Sequence, residues 1–390
     1  MLLCAAGCLA PADAPHRSAH AASASIDTAA SADVVALGRA LFFDPDLSRT
    51  RTQSCASCHD PSRAFSEPTG GRTAGAVSTS ADGTLFGDRN APSLTYAATV
   101  PALNRDAEGN YSGGLFHDGR AEDLAAQALQ PMLNLSEMQM QDAAAVVARV
   151  RAKPRYVDAF ARHLGIDVGS PVDAWFSAIG KAIAAFERSP EFIAFDSRYD
   201  RALRGELALT DEEAKGRDLF FSALTNCSRC HLLDTARVRH GEPFSSFRYF
   251  NLGVPANRGA RALSGRAQGE PDAGLAGNPA VRDAATIGMY RVPSLRNVAV
   301  TGPYMHNGVF RELSTVLFFY NQYQGRNIAF AINPETRLPW DPPEVPASID
   351  RGRLREGQPM EPERIALLLA FLRALTDRRY EPLLDTTRQP

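Results

Sequence analysis

Long apolar runs, a strong net charge and spare cysteines are all missing from this sequence. No stretch of about eighteen or more apolar residues occurs, so a membrane-spanning helix is not expected. The formal net charge of −2 argues against general nucleic-acid binding. Of the six cysteines, Cys4 and Cys8 lie near the N-terminus and four fall in two motifs, so we predict no structural disulfide. The 390 residues, 44% of them hydrophobic, fit a packed globular protein of two domains.

The four remaining cysteines belong to two copies of the C-x-x-C-H motif, which is the attachment signal for c-type haem. Two thiols at this spacing can reach both vinyl groups of one porphyrin, and the histidine then lies under the iron as its proximal ligand. A zinc knuckle would need four convergent ligands, and no other cysteine lies near either motif; a thioredoxin-like redox pair does not need the histidine. We therefore predict two covalently bound haems, at Cys55-Ala-Ser-Cys58-His59 and at Cys227-Ser-Arg-Cys230-His231.

The N-terminal segment, residues 1–31, has the composition of an export signal followed by a tether. It begins with a short apolar stretch that lacks basic residues, and residues 11–30 are rich in Ala, Ser and Pro, which is typical of a disordered tether. Haem is attached to the C-x-x-C-H motif outside the cytoplasm, so we predict a periplasmic protein. A lipid anchor at its N-terminus is the one membrane attachment left open. Three segments resemble cleavage sites, the first of the lipoprotein type: Ala5-Ala6-Gly7-Cys8, Ala12-Asp13-Ala14 and Ala19-His20-Ala21.

A short sequence is repeated before each haem motif. Gly38-Arg-Ala-Leu-Phe-Phe43 corresponds to Gly216-Arg-Asp-Leu-Phe-Phe221, and in both copies a helix is expected to lead into the haem loop. Thr210 and Glu213 form a capping box at the start of the second helix. We therefore predict a mainly α protein with long irregular loops, built from two cytochrome c-like haem domains related by internal duplication. The predicted domains are residues 32–200 and 201–385.

Other helices are predicted from apolar spacing or from a proline at the first helical position. They cover residues 124–133, 142–152, 172–188 and 313–323, and a last helix begins at Pro362. Irregular segments are predicted at 60–116, 232–290 and 321–361, with a charged link between domains around 196–206. The arginines of 232–290 could dock an acidic partner or belong to a solvated loop, and the sequence leaves both readings open.

Four further segments, taken with the two haem motifs, resemble the bacterial di-haem cytochrome c peroxidase and MauG superfamily over residues 32–380. They are Arg89-Asn90-Ala-Pro92, His117-Asp-Gly-Arg120, Val292-Pro-Ser-Leu-Arg-Asn297 and Thr301-Gly-Pro-Tyr-Met-His306-Asn-Gly308. The resemblance implies an oxidoreductase in which hydrogen peroxide generates high-valent haem iron that oxidises an electron donor or a protein substrate. The alternatives are a classical peroxidase supplied by a small cytochrome or cupredoxin, and a plain electron-transfer cytochrome.

The resemblance also decides which branch of the superfamily is expected. Its second haem takes a distal ligand from the helix after the His306 segment, and this slot holds Tyr320, as in MauG-like members, where classical peroxidases have Met. A phenolate is a hard anionic donor that stabilises higher oxidation states, whereas a thioether favours low-valent iron. Met305 and Met289 are competing thioether candidates that do not match the slot, and a core aromatic is the alternative role for Tyr320.

By the same resemblance, the His59 haem is the peroxide site. No histidine occurs between His59 and His117, so an open sixth position on this iron is expected without prior reduction. Gln127, Pro131 and Glu137 fall at the distal-pocket positions of the family. Glu137 is the predicted general acid/base, because O–O cleavage needs a proton moved between the two peroxide oxygens, and Gln127 would orient peroxide. Ordinary surface positions are the alternative for these residues.

The resemblance further implies a calcium ion between the haems and a cofactor-binding role for His306. Asn90 would supply a side-chain oxygen, and Thr301 and Pro303 would supply backbone carbonyls. Oxygen ligands of this kind suit Ca²⁺.

Two departures from the family pattern concern charge transfer. His117 stands where the family has a Trp between the haems, and Thr225 stands where MauG has a surface Trp near its second motif. Because His is a poor carrier of oxidising charge, we do not predict fast sharing of oxidising equivalents between the haems. Because Thr225 replaces the surface Trp, MauG's own task, quinone cofactor maturation, is not assigned to this chain. Three tyrosines are left open as relays: Tyr96, Tyr249 and Tyr304.

Overall fold

Helices dominate the computed structural model, which describes residues 30–233, 241–267, 269–324 and 328–386. The α-helices are α1 Ala32–Phe42, α2 Leu124–Leu133, α3 Ala143–Arg151, α4 Pro154–Leu164, α5 Val172–Glu187, α6 Arg198–Leu203, α7 Asp211–Phe221, α8 Arg258–Ser264, α9 Leu313–Asn321, α10 Arg351–Leu354, α11 Pro362–Ala374 and α12 Leu383–Thr386. Two antiparallel hairpins pair β1 Asn104–Arg105 with β2 Tyr111–Ser112 and β3 Tyr249–Phe250 with β4 Tyr290–Arg291. The predicted mainly α class is confirmed. The predicted signal and tether fall almost wholly outside the described residues.

The first half of the chain is built on the crossing of α1 and α5. Ser31 caps α1 by accepting a hydrogen bond from the Val34 N–H at 3.3 Å. The two helices cross at Gly38, where an added Cβ would lie 1.8 Å from the Ala182 carbonyl oxygen. The buried aromatic rings of Phe42, Phe65, Phe186 and Phe192 pack around this crossing. This core supports the loop that carries the first haem motif.

The second half repeats this arrangement with α7 and α11. An added Cβ at Gly216 would lie 1.9 Å from the Leu367 carbonyl oxygen, so Gly216 is the counterpart of Gly38. The predicted capping box is confirmed, since the Glu213 N–H donates to Thr210 Oγ1 at 3.2 Å and the Thr210 N–H donates to Glu213 Oε2 at 2.8 Å. The sequence repeat is therefore also a structural repeat. The exact domain boundaries stay a prediction.

Several regions assigned to loops or links are more ordered than expected. The charged link contains α6, whose Asp200 carboxylate is buried and accepts hydrogen bonds from the Arg296 guanidinium. Two arginines of the 232–290 region have intramolecular partners, since Arg261 pairs with Glu344 and Arg266 with Asp88. The helix at Pro362 is not the last one, since α12 follows it. Across the described ranges, no helix combines the length and apolarity needed to cross a membrane.

Candidate functional site

Both C-x-x-C-H motifs form the same local structure, a single 3₁₀ turn at Cys55–Ser57 and at Cys227–Arg229. In each turn the histidine N–H donates to the carbonyl of the first cysteine, with both distances 3.0 Å. None of the four cysteines in the described part of the chain forms a disulfide. Each motif therefore presents two unpaired thiols and one imidazole from a compact turn.

The imidazoles of both motifs are oriented by backbone carbonyls. Nδ1 of His59 lies 3.1 Å from the Phe65 carbonyl oxygen, and Nδ1 of His231 lies 3.2 Å from that of Phe244. A carbonyl can only accept, so Nδ1 carries the proton and Nε2 keeps its lone pair. Burial lowers the pKa of each ring to about 4. Both histidines are thus neutral, which is the form that binds a metal ion.

One cavity of about 990 Å³, here called the central cavity, reaches both motifs. Its volume lies at the top of the range of about 300–1,000 Å³ that is usual for ligand pockets. The predicted site residues on its wall are Cys55, Cys58, His59, Asn90, His117, Gln127, Pro131, Glu137, Cys227, Cys230, His231, Thr301, Pro303, His306 and Tyr320. The structure therefore brings all of them together. Paired thiols, a neutral imidazole at each end and the shared space fit two covalently attached haems.

The residues predicted for the peroxide side lie on and just after α2. Gln127 and Pro131 are one helical turn apart, and Glu137 follows in a loop that its backbone secures: its N–H donates to the Asn134 carbonyl at 3.1 Å, and its carbonyl accepts from the Ala81 N–H at 2.7 Å. Burial raises the pKa of the Glu137 carboxyl, although the charge of Arg120 opposes this shift. A carboxyl that burial makes easier to protonate, beside a cavity, is suited to take up and release a proton there.

Tyr320 lies in the last turn of α9 and borders the central cavity together with His231. Burial raises the pKa of its phenol well above the usual value. Of the two competing thioethers, Met305 borders the cavity, whereas Met289 packs in a separate cluster against Tyr249. The geometry thus allows a phenol oxygen to face the second motif.

Three of the segments on which the family resemblance rests meet at the backbone of Asn90. Nε2 of His117 lies 2.9 Å from the Asn90 carbonyl oxygen, and the Asn90 N–H donates to the His306 carbonyl at 2.8 Å. Burial lowers the pKa of His117 to about 4 and that of His306 to about 3. The His306 ring stacks on Tyr290 at 3.6 Å between ring centres, and its buried Nε2 has no partner among the described residues. Both histidines are neutral.

Asn90, Thr301 and Pro303 share one wall of the central cavity. The Asn90 side-chain nitrogen donates to the carbonyls of Gly75 at 2.9 Å and Ala76 at 3.2 Å, so the nitrogen end of the amide is already engaged. This geometry leaves Oδ1 as the atom for a cation. Among the described residues, no group of three or more His, Cys, Asp or Glu side chains is arranged to hold a metal ion.

Sequence reasoning missed a buried carboxyl close to the first motif. Glu67 is 8% exposed and accepts a hydrogen bond from the Ser78 hydroxyl. Burial raises the pKa of the Cys58 thiol, and the charge of Glu67 adds to this shift. Burial raises the pKa of Glu67 itself to about 7. No sequence signal identifies it, because Glu67 lies in a Gly-, Ser- and Thr-rich stretch without periodicity.

Neither tryptophan takes part in the central cavity. Trp175 is fully buried in the first core and donates to the Asp167 carbonyl at 2.8 Å. Trp340 packs on Phe310 and Phe319 and donates to the Phe330 carbonyl at 2.8 Å. Both belong to the described part of the chain, and neither borders the cavity.

Known proteins resemble this chain in sequence and in structure. Residues 32–208 match the family model "Di-haem cytochrome c peroxidase". The chain is 49% identical over 355 residues to the methylamine utilization protein MauG of Paracoccus denitrificans, covering 91% of each protein. It is 33% identical to the cytochrome c551 peroxidase of Pseudomonas aeruginosa over 75% of this chain and 73% of that protein. The crystal structure of the diheme peroxidase BthA from Burkholderia thailandensis superposes with a TM-score of 0.79 and 33% identity, covering 90% of this chain and 88% of that one.

Proposed function

Since the chain belongs to the di-haem cytochrome c peroxidase family, which includes MauG, we propose that it binds hydrogen peroxide beside Gln127 and Glu137 and uses it to oxidise a protein partner. The observation that carries this proposal is the central cavity, whose wall joins these two side chains to His59, His231 and Tyr320. A bound haem supplies the iron at which peroxide is cleaved and the oxidising equivalents that follow. The protein supplies attachment, orientation and proton transfer.

Attachment and orientation come from the two motifs. The thiols of Cys55 and Cys58 would hold the first haem, and those of Cys227 and Cys230 the second. His59 and His231 would be the proximal ligands through Nε2, because a backbone carbonyl engages Nδ1 in each case. A hydrogen bond of this kind fixes the ring plane and makes the ligating nitrogen more basic.

Proton transfer is assigned to Glu137. In its ionised form it would take a proton from one peroxide oxygen and return it to the other, which would leave as water when a bound haem supplies the electrons for O–O cleavage. Because burial raises its pKa, this carboxylate binds a proton more readily than an exposed glutamate does, which suits both steps. Gln127 would donate from its side-chain amide to peroxide and set its orientation. Pro131 has no N–H, so it cannot donate to the Gln127 carbonyl, and it would line the pocket beside Gln127.

Tyr320 is proposed as the distal ligand of the second haem. Its phenol borders the cavity on the His231 side, where an anionic oxygen would favour oxidised iron over reduced iron. Because burial raises the pKa of this phenol, ligation requires the positive charge of the metal to remove its proton. This arrangement supports reaction from the fully oxidised state, without prior reduction.

The partner is proposed to be a small cytochrome, a cupredoxin or a protein substrate. The Paracoccus relative is named for methylamine utilization, but Thr225 occupies the slot in which the MauG resemblance implies a surface Trp. The Thr225 hydroxyl donates to the Leu219 carbonyl. This side chain cannot carry charge to the surface, so we do not extend methylamine utilization to this chain.

A calcium ion is proposed beside Asn90, Thr301 and Pro303. Asn90 Oδ1 and the two backbone carbonyls would be its ligands, with water completing the shell. A chelator should lower the rate of the peroxide reaction, and added calcium should restore it. Calcium-free protein that retains the full rate would argue against the site.

The chain is proposed to act in the periplasm, because haem attachment to both motifs takes place outside the cytoplasm. A lipid anchor at Cys8 or cleavage by a signal peptidase would each leave a distinct mature N-terminus. Mass spectrometry of the mature protein after cell fractionation separates the two.

Stopped-flow spectroscopy tests the proposed function. Fully oxidised holo-protein is mixed with hydrogen peroxide beside the Tyr320→Met variant, with Tyr323→Met as a matched control outside the cavity wall. We expect wild type and the control to give a persistent change in haem absorption, and Tyr320→Met to lose its persistence. If wild type reacts only after one haem is reduced, the protein works as a classical peroxidase and the assignment of Tyr320 is wrong.

A further inference from the structure

A buried hydrogen-bonded group links a cavity-lining tyrosine to a carboxylate from the far end of the chain. The Tyr96 hydroxyl donates to Asp377 Oδ1 at 2.6 Å, and the Asn297 amide donates to Asp377 Oδ2 at 2.8 Å. The Tyr96 hydroxyl accepts from the Phe195 N–H at 3.0 Å. Tyr96 is 1% exposed and Asp377 is 2% exposed, and Tyr96 borders the central cavity. A buried phenol thus lies between the cavity and a base.

Tyr96 differs from the other tyrosines on this wall in what its hydroxyl faces. Within the described residues, Tyr290, Tyr304 and Tyr320 also border the cavity. The Tyr304 hydroxyl donates to the Val298 carbonyl at 3.0 Å. A carbonyl cannot take up a proton at neutral pH, and no carboxylate among the described residues is hydrogen-bonded to the Tyr320 hydroxyl. These two phenols therefore lack a proton acceptor.

Tyr290 comes closer to a carboxylate, but that carboxylate is a weak base. Its hydroxyl lies 3.4 Å from the backbone carbonyl of Asp272, whose carboxylate binds the Arg89 guanidinium through two hydrogen bonds of 2.7 Å. Although burial acts in the opposite direction, this guanidinium holds the pKa of Asp272 well below its usual range. Protonating Asp272 would break a buried bidentate pair.

Asp377 is a better proton acceptor. Burial raises its pKa to about 6, and the charge of Asp196 adds to the effect, while Arg296 and the hydrogen bonds from Tyr96 and Asn297 oppose it. Arg296 lies 5.5 Å from the Tyr96 ring centre, but its guanidinium is already paired with Asp200. Asp377 is therefore ionised at neutral pH and close to the point at which it binds a proton.

We propose that Tyr96 is a redox-active tyrosine that gives one electron to the peroxide-oxidised haem centre while its phenolic proton moves to Asp377. The O–H bond of Tyr96 breaks, a neutral phenoxyl radical forms, Asp377 becomes a carboxylic acid, and the haem centre is reduced by one electron. An electron from the donor and return of the same proton restore the phenol. This step rests on the peroxide reaction proposed above, and it requires neither ligation by Tyr320 nor the calcium ion.

A redox-active Tyr96 would carry oxidising charge in place of the Trp residues that the family resemblance implies at positions 117 and 225. His117 occupies the Trp slot between the haems, and neither Trp175 nor Trp340 borders the cavity. Losing an electron without the proton would leave a buried cationic phenol 5.5 Å from the Arg296 guanidinium, which is costly. Transfer of the proton along an existing hydrogen bond of 2.6 Å keeps Tyr96 neutral throughout.

Rapid-freeze EPR of the holo-protein mixed with hydrogen peroxide tests the proposal. We expect a tyrosyl signal that narrows when the protein carries ring-deuterated tyrosine and that is absent in Tyr96→Phe. Two matched controls should keep the signal. Tyr156→Phe removes a phenol that donates to the Asp44 carboxylate at 2.8 Å but does not border the cavity, and Tyr304→Phe removes one that borders the cavity without facing a carboxylate.

Asp377→Asn tests the proton acceptor without removing the ring. We expect about a tenfold or greater loss of radical yield, because the charge-assisted hydrogen bond from the phenol is lost. Haem absorption in the same samples reports whether peroxide has reacted. Peroxide consumption with no tyrosyl signal, or a signal that survives in Tyr96→Phe, overturns this inference and leaves the peroxidase proposal intact. No absorption change at all overturns both.

Discussion

The close helix crossings at Gly38 and Gly216 predict a specific loss of stability when either residue is replaced by alanine. A Cβ at Gly38 would lie 1.8 Å from the Ala182 carbonyl oxygen, so α1 and α5 would have to separate by roughly 1.6 Å to reach an ordinary contact of 3.4 Å. Overpacking of this kind costs about 1–3 kcal/mol, and a backbone clash belongs at the upper end. Helix propensity returns about 1 kcal/mol on replacing Gly by Ala, which leaves a net loss of about 2 kcal/mol.

Thermal unfolding with one tryptophan as the probe measures this loss. Trp175 reports on the first core and Trp340 on the second half, so each variant is made with the other tryptophan replaced by Phe. A loss of about 2 kcal/mol in a half of this size should lower the midpoint by about 4–8 °C. Gly38→Ala should shift the Trp175 transition, and Gly216→Ala should shift the Trp340 transition.

Gly259→Ala is the matched control for this prediction. Gly259 lies within α8, and an added Cβ would meet its nearest neighbour, Asn257 Oδ1, at 3.6 Å. We expect this variant to be as stable as wild type or up to about 1 kcal/mol more stable. If Gly38→Ala is as stable as this control, the close approach of α1 and α5 at Gly38 is wrong.

Three further predictions concern buried charged groups. Glu137→Gln should slow the peroxide reaction by about 10²–10⁴-fold. In wild type the rate should fall as the pH drops through the raised pKa of Glu137, and in the variant this fall should be absent. Stopped-flow measurements across pH check both effects. Arg296→Met should lower the free energy of unfolding by about 3–5 kcal/mol, because it leaves the Asp200 carboxylate buried without its ion-pair partner. Arg51→Met, at an exposed pair, should lower it by about 0–1 kcal/mol. Equal losses in denaturant unfolding would contradict this reasoning. Burial raises the pKa of Glu187 from 4.5 to about 8, so its carboxyl favours the folded state most at low pH and loses that effect as pH rises towards 8. Glu187→Gln should therefore gain stability over wild type across this window, by a few kcal/mol at its upper end, and a difference that does not change with pH would refute the assignment.

The sequence by itself determined the features that depend on neighbouring residues. A C-x-x-C-H motif needs only one turn of backbone to present two thiols and an imidazole, so both copies could be recognised without a fold. Helix α2 was predicted at residues 124–133 and begins and ends there. The capping box at Thr210 is equally local, because its two hydrogen bonds span three residues. Helix α4 was missed although Pro154 stands at its first position, because its apolar pattern is short and interrupted by charge.

Only the tertiary structure decided which distant residues meet. Arg296 pairs with an aspartate 96 residues away, and Tyr96 donates to Asp377 across 281 residues. No periodicity or spacing encodes such pairs, because they are selected by how the two halves pack and by the need to satisfy buried polar groups. The same packing changes the chemistry of the side chains, since burial is the largest cause of the raised pKa values of Glu67 and Glu187. The choice of Tyr96 among the candidate tyrosines follows from its surroundings, which the sequence does not reveal.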